Sequence, residues 1–222
     1  MSSYREDNDE FSMRLVLFKD YVRIDFKVYE RAYFERYKEK TELPEHWDTG
    51  YKTLADKDGI LASLIFPSYT AFIISKPTEN EFLVVVNEFW WDATYVAKSL
   101  WRDEMYYAKY MLDSVMRFSY LQKMIEWHIG LAYQWRISTN KHGRFFKKYL
   151  DPENWEQLQA TFAGSNIEDN WNALFATTKL FSQLAKALAK ELDYFYPQKT
   201  DDEISMSLKK IRSLDNNAVD MK

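Results

Sequence analysis

The chain has 222 residues, 46% hydrophobic and 29% charged, with a net charge of −4 at pH 7 and no cysteine. That length serves one or two compact domains, and the balance argues for a soluble globular protein. An isoelectric point near 5.5 lacks the basic footprint of general nucleic-acid binding and does not oppose a cationic ligand.

The missing cysteines exclude disulfides and thiolate metal sites and fit a cytoplasmic protein. The polar run after Met1 does not read as a secretory signal. No apolar run approaches the ~20 residues of a membrane span.

Residues 1–10 are polar and are expected to fray. Ser12 to Phe18 is a short apolar run, broken by Lys19-Asp20-Tyr21. Val22, Ile24, Phe26 and Val28 then alternate with Arg23, Asp25 and Lys27, the period of a strand. The two runs predict a β-hairpin, which needs a larger sheet or a covering helix to be stable. Tyr29 to Lys40 is free of Gly and Pro and predicts a helix. Thr41 to Pro77 is punctuated by Pro44, Gly50, Gly59, Pro67 and Pro77. It reads as loops with a short strand or helix near Lys52 to Phe66.

A long helical region follows, with pieces expected at 78–101, 103–117, 119–136, 141–149, 152–161 and 167–193. Asp103 is placed to cap the second piece, and Asp151-Pro152 to start the fifth. Short links between consecutive helices predict a bundle. The tail from Gln198 is polar and suggests a last short helix followed by disorder. The expected fold class is α+β, an α/β piece over 1–76 followed by an all-helical bundle over 77–197 and a polar tail over 198–222.

The helix over 82–102 carries two stripes. Val85, Phe89, Ala93, Val96 and Leu100 share a sector of about 80° on a helical wheel, a core-facing line. Glu88, Trp91, Tyr95, Lys98 and Arg102 share another sector of about 80°, nearly opposite. One reading of this second stripe is a surface helix with paired charges and snorkelling side chains. The other is a pocket wall, in which aromatic faces take a cation or sugar ring, Glu88 takes a proton, and Lys98 and Arg102 meet phosphates.

Asn87-Glu88-Phe89-Trp90, Thr94-Tyr95-Val96-Ala97-Lys98 and Leu100-Trp101-Arg102-Asp103-Glu104 resemble the signature helix of the streptomycin-type aminoglycoside 6-adenylyltransferases. Met124-Ile125-Glu126-Trp127-His128-Ile129-Gly130, Tyr149-Leu150, Trp155 and Asp193-Tyr194-Phe195-Tyr196-Pro197 extend the likeness, as does Phe18 to Tyr29. The resemblance covers roughly residues 11–197. It implies transfer of AMP from ATP, with Mg²⁺, to an aminoglycoside hydroxyl, in the service of antibiotic resistance. It also implies a nucleotidyltransferase domain in which a Gly-Ser turn cradles phosphates and three Asp residues hold the metal. Asp25, in Arg23-Ile24-Asp25-Phe26, looks like the third carboxylate and hence a metal ligand and catalytic residue. Read on its own, it is an exposed strand residue between Arg23 and Lys27.

The first two metal carboxylates and the Gly-Ser turn have no counterpart. Gly164-Ser165 reads as a helix link, Asp56-Lys57-Asp58-Gly59 as a turn, and Asp201-Asp202-Glu203 as a helix start. His46, His128 and His142 make no zinc motif. The chain is therefore expected to begin inside the nucleotidyltransferase domain and to have impaired or no activity alone. Three readings stay open: an aminoglycoside nucleotidyltransferase with aminoglycoside and ATP as partners, a non-catalytic aminoglycoside-binding or interaction module, and a helical scaffold that docks a partner helix. Neither a nucleic-acid nor a membrane partner is expected, and self-association is not legible.

Overall fold

The computed structural model describes residues 2–7, 11–37 and 40–215. The fold is α+β, and the chain divides into two compact units, Met1–Ala71 and Phe72–Lys222.

In the first unit, β1 (Ser2–Asp7), β2 (Phe11–Leu17) and β3 (Arg23–Tyr29) form an antiparallel sheet in the order β1-β2-β3. The expected hairpin is β2 and β3, with Phe11 opposite Tyr29 and Leu17 opposite Arg23. Its turn closes through a 2.8 Å bond from the Phe18 amide to the Val22 carbonyl, with Tyr21 at a φ of 66°. β1 departs from the expectation of a frayed end. Ser2 pairs with Leu17 and Asp7 with Ser12; a ladder of backbone groups needs no apolar alternation. Residues 8–10 lie outside the described residues.

Tyr29 ends β3 in a nest of rings, 4.6 Å from Tyr33 and 5.9 Å from Trp47, and Trp47 stacks on Phe34 at 5.2 Å. These rings join α1 (Arg31–Glu35) to α2 (Glu45–Asp48). α1 is shorter than the helix expected over 29–40, of which residues 38 and 39 lie outside the described residues. The Asp48 carboxylate then fastens the loop that ends the unit, accepting from the Ser68 amide at 2.6 Å, the Ser68 hydroxyl at 2.7 Å and the Thr70 and Ala71 amides at 3.1 Å. These bonds, from the Ser68 side chain first, hold its carboxyl below the usual range. Between 52 and 66 there is one short 3₁₀ turn, Leu61–Ser63. Asp56 accepts from the Ile60 and Leu61 amides at 3.0 and 2.9 Å, so Asp56 to Gly59 is a turn.

The second unit is built around α3 (Glu79–Trp101). Thr78 and Glu81 start it with a reciprocal capping box: the Glu81 amide donates to the Thr78 hydroxyl at 3.2 Å and the Thr78 amide to the Glu81 carboxylate at 2.8 Å. Asp103 does not cap the next helix. It takes a left-handed φ of 58° and the Glu104 amide bonds back to the Ser99 carbonyl at 2.8 Å, which is a Schellman ending for α3.

The next helix is continuous from Met105 to Ala132, as α4 (Met105–Lys109), a π-helical stretch (Tyr110–Leu121) and α5 (Gln122–Ala132). The break expected at residue 118 is absent, because no Gly or Pro interrupts that stretch. The helix stops at Ala132, short of 136. Gln134 and Trp135 turn left-handed, and the Trp135 amide bonds to the Gly130 carbonyl at 2.7 Å. Left-handed Asn140, His142 and Gly143 likewise break the helix expected over 141–149, leaving a 3₁₀ turn (Lys141–Gly143) and α6 (Phe146–Tyr149).

α7 (Pro152–Gln159) starts as expected, with Asp151 accepting from the Asn154 amide at 2.9 Å. α8 (Ile167–Leu192) and α9 (Gln198–Ser213) complete the bundle. The disorder expected at the C-terminus falls on 216–222, outside the described residues.

α3 contacts α4, the π-helical stretch, α8 and α9. Its core face is therefore wider than one stripe: Val86, Trp90 and Ala97 are buried beside Val85, Phe89, Ala93, Val96 and Leu100. Phe89 stacks on Phe181 of α8 with ring centroids 3.5 Å apart. α9 is anchored through a buried carboxylate. Asp201 meets Lys186 at 2.7 Å, Ser182 at 2.6 Å and the Tyr196 hydroxyl at 2.9 Å. The end of α8 closes on the start of α3, with the Tyr194 hydroxyl donating to the Pro77 carbonyl at 2.7 Å and the Phe195 amide to Glu79 at 2.8 Å. Among the described residues, no helix is long and apolar enough to cross a membrane.

Candidate functional site

The second stripe of α3 faces outward. Glu88 and Lys98 are exposed, Trp91 and Tyr95 keep 62% and 39% of their surface, and Arg102 is half-buried. An exposed indole of this size has apolar area to offer a ligand. The Thr94 hydroxyl bonds to the Trp91 carbonyl at 2.7 Å, so the turn between the two rings is tied down.

The structure adds residues the stripe did not include. Asp92 lies one turn beyond Glu88, about 40° round the helix, and accepts a 2.9 Å hydrogen bond from the Tyr120 hydroxyl of the π-helical stretch. Tyr120 also feels the Glu88 charge. Burial first, then the bond to Asp92, push the Tyr120 phenol up to about 12. It stays a neutral donor at any physiological pH. Two carboxylates and a phenol thus share one patch with Trp91 and Tyr95. Asp92 was within reach of the wheel, at the edge of the sector chosen. Tyr120, 28 residues on, carries no local signal.

Towards the start of α3, Glu81 lies on the same face as Glu88, about 20° away on the wheel and about 10 Å along the axis. It borders a cavity of about 460 Å³ lined by Lys76, Lys123, Glu126, Trp127 and Lys141 among others. The Thr78 backbone, then its hydroxyl, hold the Glu81 carboxyl below the usual range. Burial, the largest influence, pushes Glu126 up, against a 3.0 Å bond from Gln122 and the charge of Lys123. Lys98 and Arg102 lie on the other side of Glu88, about 15 and about 21 Å away along the axis, and neither lines this cavity.

Asp25 belongs to the first unit. On β3, Arg23 and Asp25 point to one side of the strand, and the guanidinium grips the carboxylate at 2.8 and 3.0 Å. Among the described residues no three His, Asp or Glu side chains gather as a metal site. The described residues therefore do not fit a metal ion by themselves.

The streptomycin adenylyltransferase family profile matches residues 1–211. Over 146 residues the chain is 35% identical to an aminoglycoside 6-adenylyltransferase of Bacillus subtilis, covering 66% of this chain and 51% of that protein. Over 191 residues it is 32% identical to one of Campylobacter jejuni, covering 86% and 63%. The chain thus spans about half to two thirds of the length of the curated relatives it matches. A crystal structure of an aminoglycoside 6-adenyltransferase from Bacillus subtilis is similar at a TM-score of 0.58 and 25% identity, over 96% of this chain and 79% of that one.

Proposed function

The chain belongs to the streptomycin adenylyltransferase family, and from that membership we propose that the protein transfers AMP from ATP to a hydroxyl of streptomycin or a similar aminoglycoside. The observation that supports this reading is the outward patch of Glu88, Asp92, Trp91 and Tyr95 with Tyr120 beside it. Aminoglycosides are polycations, and adjacent carboxylates with exposed aromatic faces are what a polycation with sugar rings needs.

In the proposed reaction the acceptor oxygen bonds to the α-phosphorus, the bond from that phosphorus to the bridging oxygen breaks, and pyrophosphate leaves. The hydroxyl proton passes to the Glu88 carboxylate. Trp91 and Tyr95 line the antibiotic side. Lys98 and Arg102 extend the face with positive charge for phosphate oxygens. Mg²⁺ would neutralise phosphate charge when bound, and Asp25 is the residue we assign to it. That assignment requires Arg23 to release the carboxylate and further carboxylates to join it.

The second reading, an aminoglycoside-binding module without turnover, is favoured by the Arg23–Asp25 pair and by the lack of a metal-ligand cluster among the described residues. Calorimetric titration of the 222-residue chain with streptomycin, beside an assay of pyrophosphate release, separates the two. Binding with turnover supports the transferase, and binding without turnover supports the module. No binding of any aminoglycoside sinks both.

A further inference from the structure

The sheet of the first unit ends at β3. Among the described residues no strand pairs with its far side, because the order is β1-β2-β3. Arg23 to Val28 are all exposed, the apolar Ile24, Phe26 and Val28 among them. An open edge strand with apolar side chains is a template for another strand.

The ladder fixes which backbone groups this edge offers. The bond from the Phe18 amide to the Val22 carbonyl marks those two residues as a hydrogen-bonded pair. Such pairs alternate along an antiparallel ladder. In the observed register they therefore recur at Val16 with Ile24, Arg14 with Phe26 and Ser12 with Val28. The amides and carbonyls of Arg23, Asp25 and Lys27 point the other way, out of the sheet edge.

The side chains make β3 complementary to itself. When a second β3 is laid antiparallel on it with Phe26 opposite Phe26, Asp25 meets Lys27 of the second copy, Lys27 meets Asp25, and Ile24 meets Val28. The outward backbone groups of Asp25 and Lys27 then fall in hydrogen-bonded pairs. Phe26, Ile24 and Val28 fall in the alternate pairs, where side chains approach more closely. A shift of two residues either way sets Asp25 or Lys27 opposite itself, like charge against like. A shift of one residue sets outward groups against inward ones. A lysine on an edge ordinarily repels a second strand, but with Asp25 two residues away it selects one register instead. Within one copy Arg23 holds Asp25 at 2.8 and 3.0 Å, and Lys27 lies 4.5 Å over the Phe11 ring. Both groups keep capacity for a further partner, since a carboxylate has about four acceptor sites and an ammonium has three donors.

We propose that the outer edge of β3 is a self-association surface, through which a second copy of this chain joins antiparallel about a twofold axis at Phe26. Two three-stranded sheets become one continuous sheet. The inference does not rest on the proposed transfer reaction. A contact of one strand with one strand is at the small end of interface sizes, so the dimer is expected to exchange with monomer in the micromolar range.

The test is sedimentation velocity of the full chain across that range, with circular dichroism to verify that each variant is folded. D25K places a lysine opposite Lys27 of the second copy, and K27E places a glutamate opposite Asp25. Each alone is expected to self-associate about tenfold more weakly than wild type, or weaker still. Mixed in equal amounts, the two restore both opposite-charge pairs, and association is expected to return to within about threefold of wild type. D25K/K27E carries the same pairs reversed and is expected to dimerise as wild type does. A wild type that stays monomeric, or single variants that dimerise as well as wild type, overturns the proposal. So does a mixture that stays as dissociated as its components, because another surface would then hold the copies together.

Discussion

Tyr120 donates its hydroxyl hydrogen to Asp92 at 2.9 Å, and this single bond joins the polar face of α3 to the helix that runs beside it. It also makes a measurable quantity of the patch. Tyr120 is held up near 12 by burial and then by Asp92. In D92N the negative partner is gone, so the phenol is expected to ionise at lower pH, towards 10. Ultraviolet difference titration of tyrosinate checks this, and an unchanged titration curve in D92N would show that burial alone sets the value. Y120F should cost about 1 kcal/mol or less of stability, because Asp92 can turn to water.

Glu88 is the proposed proton acceptor. E88Q keeps the shape and a hydrogen-bonding group but cannot take the proton. Adenylyl transfer by a form of the protein that turns over is expected to fall about 10²- to 10⁴-fold, with streptomycin affinity changed only a few-fold. D25N and K98A are expected to lower transfer as well. Wild-type rates in all three would end the assignment of these residues.

Asp201 links stability to pH. Burial opposes its ionisation, but Lys186, Ser182 and Tyr196 outweigh that and leave the carboxyl below its ordinary value. Such a group is stabilising above the unfolded value of about 4. That contribution is lost as pH falls below about 4, towards the depressed folded value. D201N should remove about 2–3 kcal/mol, at or below the low end for a broken buried pair because Lys186 can reach water. Urea unfolding at pH 7 and at pH 3 measures both. A wild-type/D201N difference that does not shrink at pH 3 contradicts the account.

Gly130 is where Trp135 folds back. A Cβ there would lie 2.6 Å from the Trp135 ring and 2.9 Å from the Ile74 side chain. Alanine has the better helix propensity by about 1 kcal/mol, yet overpacking costs about 1–3 kcal/mol. G130A is expected to be destabilised or at best neutral, read as a drop in thermal midpoint. A clear rise would mean the 133–137 loop moves freely.

The legible part of this protein was α3. Its two-faced wheel lies within one uninterrupted helix, where side-chain direction follows from spacing alone. The hairpin was legible for the same reason, through the period of Val22 to Val28. What stayed hidden depends on distant partners. Asp92 gains its meaning from Tyr120, and the cation-lined cavity needs Lys76, Lys123 and Lys141 brought together by packing. Asp201 looked like a helix-starting acid in a polar tail, and it is buried where Ser182 and Lys186 of α8 and Tyr196 meet it. Left-handed turns at Asp103, Trp135 and His142 were missed because each uses a side-chain residue where glycine would have signalled it.

The bonds from Tyr194 and Phe195 to Pro77 and Glu79 span 117 and 116 residues. A ribosome adding about 5–20 residues per second makes the first turn of α3 roughly 6–23 seconds before the group that fastens it. Until α8 is made, Phe82 and Phe89, wholly buried in the finished protein, have nothing from it to cover them. Nascent chains arrested before Leu180 are therefore expected to be cut within α3 by a limiting protease and to be held by chaperones, whereas chains released after Ser213 are not. The outward face of α3 is thus written early in synthesis and becomes a defined surface only once α8 and α9 have been made.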